Sequence, residues 1–182
     1  MKLTQISVVR GFVWKYDDDI STDYIAPNVS RFDMLPGGER WTVMGQAAME
    51  GTPKEKGDPS FGKRCKKGDV IVAGQNFGCG SSREEGALTI KAAGAGAVIA
   101  NSFARLWYRN AVNNGLIAIE IKDARQFFQN GDEIIIDLQE GIIKNLSTDM
   151  KITVKPFPKF ISDMIEKGGL IPSIKSKYMN KR

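Results

Sequence analysis

"GDVIVAGQNFGCGSSREEGALTIKAAGAGAVIANSF", Gly68–Phe103, is the stretch that decides the fold. It opens with an apolar centre, Val70 to Ala73, bounded by polar residues and glycine, which predicts a buried strand. A helix is expected from about Ser82 to Ala93. Ser82 and Glu85 have the spacing of a capping box, Leu88 and Ala92 fall four apart on one face, and Gly94 and Gly96 end the helix. "AVIANSF" is a second apolar strand, "ARLWYRNAVNNG" a second helix closed by Gly115, and "LIAIEI" a third strand. Residues 70–121 therefore predict strand–helix–strand–helix–strand, the pattern of a parallel sheet with right-handed crossovers.

Working outward, "ISVVRGFVWKY" alternates and is rich in β-branched and aromatic residues, so a strand is expected. "DDDISTDYIAP" follows as a polar loop ending at Pro27. Residues 28–66 carry breakers such as "LPGG" and "KEKGDPSFGKR", predicting loops, one short helix near Trp41–Glu50 and a mobile loop over 51–66. "GDEIIIDLQEGIIKNLSTDMKITVKPF" alternates like an antiparallel meander with a turn at Glu140–Gly141. "FISDMIEKGGLI" reads as a closing helix, and 174–182 as a flexible tail. The expected class is α/β, with a mostly parallel central sheet, an additional antiparallel β layer, and one domain over residues 1–182.

The composition narrows the chemistry. The chain has 182 residues, enough to bury a core without staples, and 42% of them are hydrophobic. No apolar run reaches the length of a membrane span, and the N-terminus lacks a signal-peptide core; a cytoplasmic location is expected, with no membrane partner. Cys65 and Cys79 are the only cysteines and there is no histidine. A disulfide framework is disfavoured, zinc would have to recruit carboxylates, and two thiols cannot hold an iron–sulfur cluster that takes four. Without histidine, proton chemistry must use another side chain or a partner's residue. The net charge of +5 permits nucleic acid, anionic metabolites or an acidic partner, but the basic residues of "KRCKK" and "KSKYMNKR" fit solvated loop and tail better than a nucleic-acid patch.

Within the opening stretch, "NFGCGSSREEGA" (Asn76–Ala87) places Gly78 to Ser81 between a strand end and a helix start. Glycines there let the backbone approach a ligand closely. Unpaired amides at a helix N-terminus bind anions, and Arg83 adds a planar cation suited to a carboxylate or phosphate. Taken alone, the same residues make a glycine-rich turn with a serine cap and an exposed arginine. They match neither G-x-G-x-x-G nor a P-loop, so nucleotide binding is poorly supported.

"NFGCGSSRE", followed by "AGAGAVIANSFARLWYRNAVNNGLIAIE", resembles the small subunit of 3-isopropylmalate dehydratase, the separate swivel domain of the aconitase superfamily. "DDDISTDYIAP" resembles that family's G-D-N-I-D-T-D-x-I-x-P loop, and "FISDMIEKGGLI" its final helix. Three motifs in register cover most of the chain. The resemblance implies a swivelling β/β/α domain. It also implies a hydro-lyase that isomerises a malate-type 2-hydroxy acid by dehydration and rehydration, with 3-isopropylmalate, in leucine biosynthesis, the first choice. Ser81 takes the place of the superfamily's catalytic serine, the base that removes a proton from carbon. Ser82 and Arg83 would hold a substrate carboxylate, and Asp23 would border the active site. No cofactor is expected on this chain. A [4Fe–4S] cluster is expected on a large-subunit partner, where a Lewis-acidic iron would help hydroxide leave; activity is expected only with that partner, whose closure would exclude water.

Two departures from the family pattern bear on specificity. Where relatives have a loop beginning Tyr-Leu that contacts the variable part of the substrate, this chain reads "NVSRFDML". Arg31, the only cation in that loop, suggests a second polar or carboxylate group, for which an isopropyl pocket has no use. Glu85 and Gly86 replace the usual histidine or glutamine and then alanine. Homoaconitate or a 2,3-dimethylmalate-type acid is the alternative substrate; a non-catalytic RNA-binding module and a nucleotide-binding domain are the alternatives of another class. Arg105 and Arg109 share a helix face that contacts substrate, the large subunit or only solvent. Cys79 is expected to fill space, Asp17 to Asp19 to form a turn, with Asp19 where the family often has asparagine, and Trp107 and Tyr108 to lie in the core or an interface.

Overall fold

The computed structural model describes residues 8–179. Seven strands form one sheet in the order β4-β3-β2-β1-β5-β6-β7. β1 (Val8–Lys15), β2 (Val70–Ala73), β3 (Ala97–Ala100) and β4 (Ile117–Glu120) run parallel. β5 (Glu133–Asp137), β6 (Ile142–Asn145) and β7 (Lys151–Thr153) continue the sheet antiparallel from the other side of β1. The expected antiparallel strands are thus present and share β1 with the parallel half. The β5–β6 connection turns at Gly141, where the meander pattern placed it.

The strands form where β-branched residues cluster, because such side chains pack well on a pleated surface. In β2 every residue is buried, and alternate side chains serve opposite cores. Ile71 and Ala73 join Val98, Ala100, Phe61 and Trp107 on one face. Val70 and Val72 join Ile99, Ile119, Ile134 and Ile136 on the other. The order β2-β3-β4 advances in one direction, so right-handed crossovers place α5 (Glu85–Ala92) and α6 (Arg105–Asn113) on the same face. That face is completed by α1 (Thr22–Ile25), α2 (Ser30–Asp33), α3 (Gly37–Gln46) and α4 (Phe61–Arg64). The second face is covered by α7 (Ala124–Phe127) and α8 (Lys159–Glu166), followed by α9 (Leu170–Met179).

Several boundaries differ from expectation. The first crossover helix begins at Glu85, not Ser82, and its N-cap is Glu84 with no side-chain capping bond; the S-x-x-E spacing does not form a capping box. Ser81 to Arg83 stay irregular because their polar groups are engaged elsewhere, Ser82 through its carbonyl and Ser81 through its amide. The polar loop 17–27 contains a helical turn, α1, whose N-cap Ser21 accepts the amide hydrogen of Tyr24. The helix expected over Trp41–Glu50 starts earlier, at Gly37. The closing helix is two helices interrupted at Gly168–Gly169, and the expected tail is helical as far as residue 179; residues 180–182 lie outside the described residues, as do Ile6 and Ser7 of the first strand stretch. Among the described residues no helix is long and apolar enough to cross a membrane.

Residues 51–66, expected as a mobile loop, are pinned to the first core. Phe61 is fully buried, edge-on to Trp14 with ring centroids 5.3 Å apart. The Gly62 amide donates to the Ala48 carbonyl at 3.0 Å, and the Tyr16 hydroxyl donates to the Asp58 carbonyl at 2.7 Å. Burial pushes the Tyr16 hydroxyl pKa far up, with the negative charge of Asp58 adding to it. Replacing Phe61 with alanine is expected to cost about 3–5 kcal/mol in denaturant unfolding of the chain; a loss below about 1 kcal/mol would show that this segment is not part of the core.

Candidate active site

The site forms where three loops leave the C-terminal ends of β1, β2 and β3, the position at which parallel sheets bind ligands. Beyond the strands the first two loops go on pairing. The Asp19 amide donates to the Gln75 carbonyl at 2.9 Å, Gly78 to Ile20 at 2.8 Å, and Thr22 to Cys79 at 2.7 Å. On the other side the Phe77 amide donates to Ser102 and the Ala104 amide to Phe77, at 3.0 and 2.9 Å. The glycine loop is therefore laced between its neighbours as a sheet strand would be.

Side chains lock this lacing. Arg125 pairs with Asp17 and approaches Asp18 at 3.5 Å. Asp18 accepts the Gln75 amide at 2.7 Å, and Asp19 accepts the Asn76 side-chain amide at 2.8 Å. The three aspartates thus build a turn, and the amide of Asp18, helped by Arg125, holds the Asp17 carboxyl below its usual range. Beneath the loop, Phe77, Phe103 and Trp107 form an aromatic cluster, with Phe77 4.9 Å from Trp107 and Phe103 stacked on it at 5.3 Å. Gly78, at φ +80°, lies so close to Trp107 that a β-carbon would come within 2.2 Å of the indole. That glycine makes room for the indole, whereas the sequence had suggested close approach to a ligand.

The loop delivers Ser81 to the surface. Its amide donates to the Thr22 hydroxyl at 2.8 Å, and its own hydroxyl accepts the Arg83 amide at 3.3 Å. A small cleft of about 130 Å³ is lined by Thr22, Asp23, Ala26, Val29, Ser81, Arg83 and Gly86. Three residues singled out in the sequence, Ser81, Arg83 and Asp23, therefore meet. Ser82 is exposed next to them but does not line the cleft; its carbonyl accepts the side-chain amide of the buried Asn110 at 2.9 Å. Arg31 is not brought in: it pairs with Glu50 at 2.9 Å and stacks 5.2 Å from the Phe32 ring centroid. Glu85 pairs with Arg40 at 3.3 Å, which links α5 to α3. Arg105 and Arg109 are exposed on α6 and line no part of the cleft.

The cleft combines a serine hydroxyl, a carboxylate and a guanidinium. Among the described residues Arg83 has no ion-pair partner, and the amides of Ser82 and Glu84 make no hydrogen bond. These donors suit a carboxylate or a developing alkoxide. Helix α5 starts four positions after Ser81, beyond the reach of its dipole, so the loop amides replace the helix end expected from sequence. Sequence reasoning missed Thr22 and Asn110, which make the two side-chain contacts that fix the serine loop. Thr22 stands inside the quoted "STDYIAP" motif, where only its aspartate neighbour drew notice, and Asn110 had no signal beyond an asparagine on an otherwise apolar helix face.

Comparison with known proteins places the chain. The family described as aconitase C-terminal domain matches residues 46–124. The isopropylmalate/citramalate isomerase small subunit of Methanocaldococcus jannaschii is 43% identical over 171 residues, covering 94% of this chain and 96% of that one. The chain belongs to the 3-isopropylmalate dehydratase small-subunit family. The 3-isopropylmalate dehydratase small subunit 1 of Thermotoga maritima is 44% identical, covering 92% and 95% of the two chains. The crystal structure of 3-isopropylmalate dehydratase from M. jannaschii superposes with a TM-score of 0.81 at 34% identity, covering 96% of this chain and 97% of that one. In this member of the 3-isopropylmalate dehydratase small-subunit family, the loop between the two glycines carries a thiol. Burial and then Asp19 raise the pKa of Cys79, and burial with Asp69 pushes Cys65 up to about 12. Both thiols are accordingly expected to alkylate with iodoacetamide more slowly than free cysteine at about pH 7; a Cys79 rate above that of free cysteine would mark an activated thiolate.

Proposed function

We propose that this chain is the small subunit of a two-subunit hydro-lyase that interconverts 3-isopropylmalate and 2-isopropylmalate by dehydration and rehydration, a step of leucine biosynthesis. The names of the relatives favour isopropylmalate over homoaconitate or 2,3-dimethylmalate, and one of them adds citramalate. The observation that carries the proposal is the exposed Ser81 hydroxyl meeting Arg83 and Asp23 in one cleft.

In this reading Ser81 takes the proton from the carbon beside a substrate carboxylate. An alcohol is a poor base unless its alkoxide is stabilised, and the Arg83 amide already donates to the Ser81 oxygen. The Arg83 guanidinium binds the carboxylate, with the exposed, unpaired Ser82 amide beside the cleft as a second donor, and Asp23 lines the same cleft. Arg31 could reach substrate only by leaving Glu50, as a partner closes over the loop.

The cleft is far smaller than the roughly 300–1,000 Å³ of ordinary ligand sites, and Ser81 is open to water. It is half a site. A large subunit is proposed to supply the other half, exclude water and carry a [4Fe–4S] cluster. The residues of this chain do not fit such a cluster as ligands: there are two cysteines and no histidine where a cluster takes four thiolates, and among the described residues no three metal-binding side chains gather.

Mixing the chain with its large subunit, cluster intact, is expected to give hydration activity that neither shows alone. Ser81→Ala should lower kcat by at least about 10³-fold with assembly unchanged; wild-type turnover would remove Ser81 from the role of base. Against a panel of 3-isopropylmalate, citramalate, homoaconitate and 2,3-dimethylmalate, Arg31→Ala should change the order of preference. An unchanged order would leave Arg31 as a partner of Glu50 alone.

A further inference from the structure

We infer that Thr22 is a positioning residue for Ser81, an inference that rests on the proposed role of Ser81 as base. Ser81 lies in an irregular stretch and is exposed, so nothing in its own secondary structure fixes its hydroxyl. Its amide is instead anchored by the Thr22 hydroxyl at 2.8 Å.

Thr22 is itself immobilised on every side. It is 5% exposed. Its amide donates to the Cys79 carbonyl at 2.7 Å, and its carbonyl accepts the Ala26 amide at 2.8 Å. The two branches of its side chain occupy distinct sites. The hydroxyl sits where a β-carbon on Gly80 would come within 2.9 Å of it, and the methyl where one on Gly86 would come within 3.2 Å. β-Branching limits the rotamers of the threonine, and the hydroxyl is the branch that makes the hydrogen bond. The hydroxyl is thereby aimed at the Ser81 amide, and the next residue, Asp23, is carried into the cleft. Gly80, Gly86 and Thr22 form one fitted unit, in which the glycines make room for the threonine and the threonine sets the serine.

A displacement of about 1 Å at a reacting group can cost on the order of 10²-fold in rate. In the reconstituted complex, Thr22→Val keeps the shape and removes the acceptor. It is expected to lower kcat by about 10–100-fold with KM within about twofold. Thr22→Ser, which keeps the hydroxyl, should restore kcat to within a few-fold of wild type. Because Thr22 acts through Ser81, Thr22→Val should add no further loss to the residual activity of Ser81→Ala. An unchanged kcat in Thr22→Val, a rise in KM alone, a failure of Thr22→Ser to rescue, or additive losses would each overturn the inference while Ser81→Ala stays inactive. A fully active Ser81→Ala would instead bring down the base assignment, and this inference with it. Should Thr22→Val not fold, Thr22→Ser decides: near-normal kcat supports the role of the hydroxyl, and a 10-fold or greater loss overturns it.

Discussion

The parallel pairing of the aspartate loop with the glycine loop, past the ends of β1 and β2, is the constraint on which the rest of the site depends. Strands β1 and β2 stop at Lys15 and Ala73, yet backbone hydrogen bonds carry the parallel pairing on to Thr22 and Cys79, with the register shifted by one residue at the bridge between Ser21 and Cys79. Each further bond fixes a backbone that would otherwise sample many conformations, at a cost of about 1–2 kcal/mol per residue. The cost is offset by burial of the aromatic cluster beneath and by the polar contacts of Asp18 and Asp19 at the side. A loop that looks irregular along the sequence is thereby held almost as firmly as the sheet. The serine at its end is exposed while its amide is anchored, as the proposed role in proton abstraction requires.

Much of the fold was legible because its periodicities are simple. The apolar centre of Val70–Ala73, the alternation of Glu133–Asp137 and the amphipathic run after Arg105 each announce one element. Boundaries failed where side chains had two possible uses. Ser82 and Glu85 carry the spacing of a capping box, but the carbonyl of Ser82 is held by Asn110, and Glu85 turns to Arg40. No local pattern shows such long-range partners. The same holds for Phe61, whose surroundings read as a loop and whose ring is wholly buried.

For the site, distance in sequence concealed the support. Arg83 was visible from its residue type as a fork-shaped cation, Ser81 and Asp23 were singled out through the family resemblance, and the three line one cleft. Thr22 was hidden because a threonine has many structural uses and its partner lies 59 positions away. Arg31 was visible for the opposite reason, as the only cation in a loop of interest, and the structure gives it to Glu50. In the proposed reading the cleft is small because the chain supplies one wall of a shared chamber, with donors and a serine here and the remaining contacts on a large subunit.

Amide hydrogen exchange tests the central constraint most directly. The amides of Thr22, Gly78 and Ser81 are expected to be protected although none lies in a strand, while those of Ser82 and Glu84, a few residues on, exchange freely. Exchange of Thr22, Gly78 and Ser81 at the rate of an unstructured chain would show that the two loops do not pair, and that nothing in this subunit holds the serine in place.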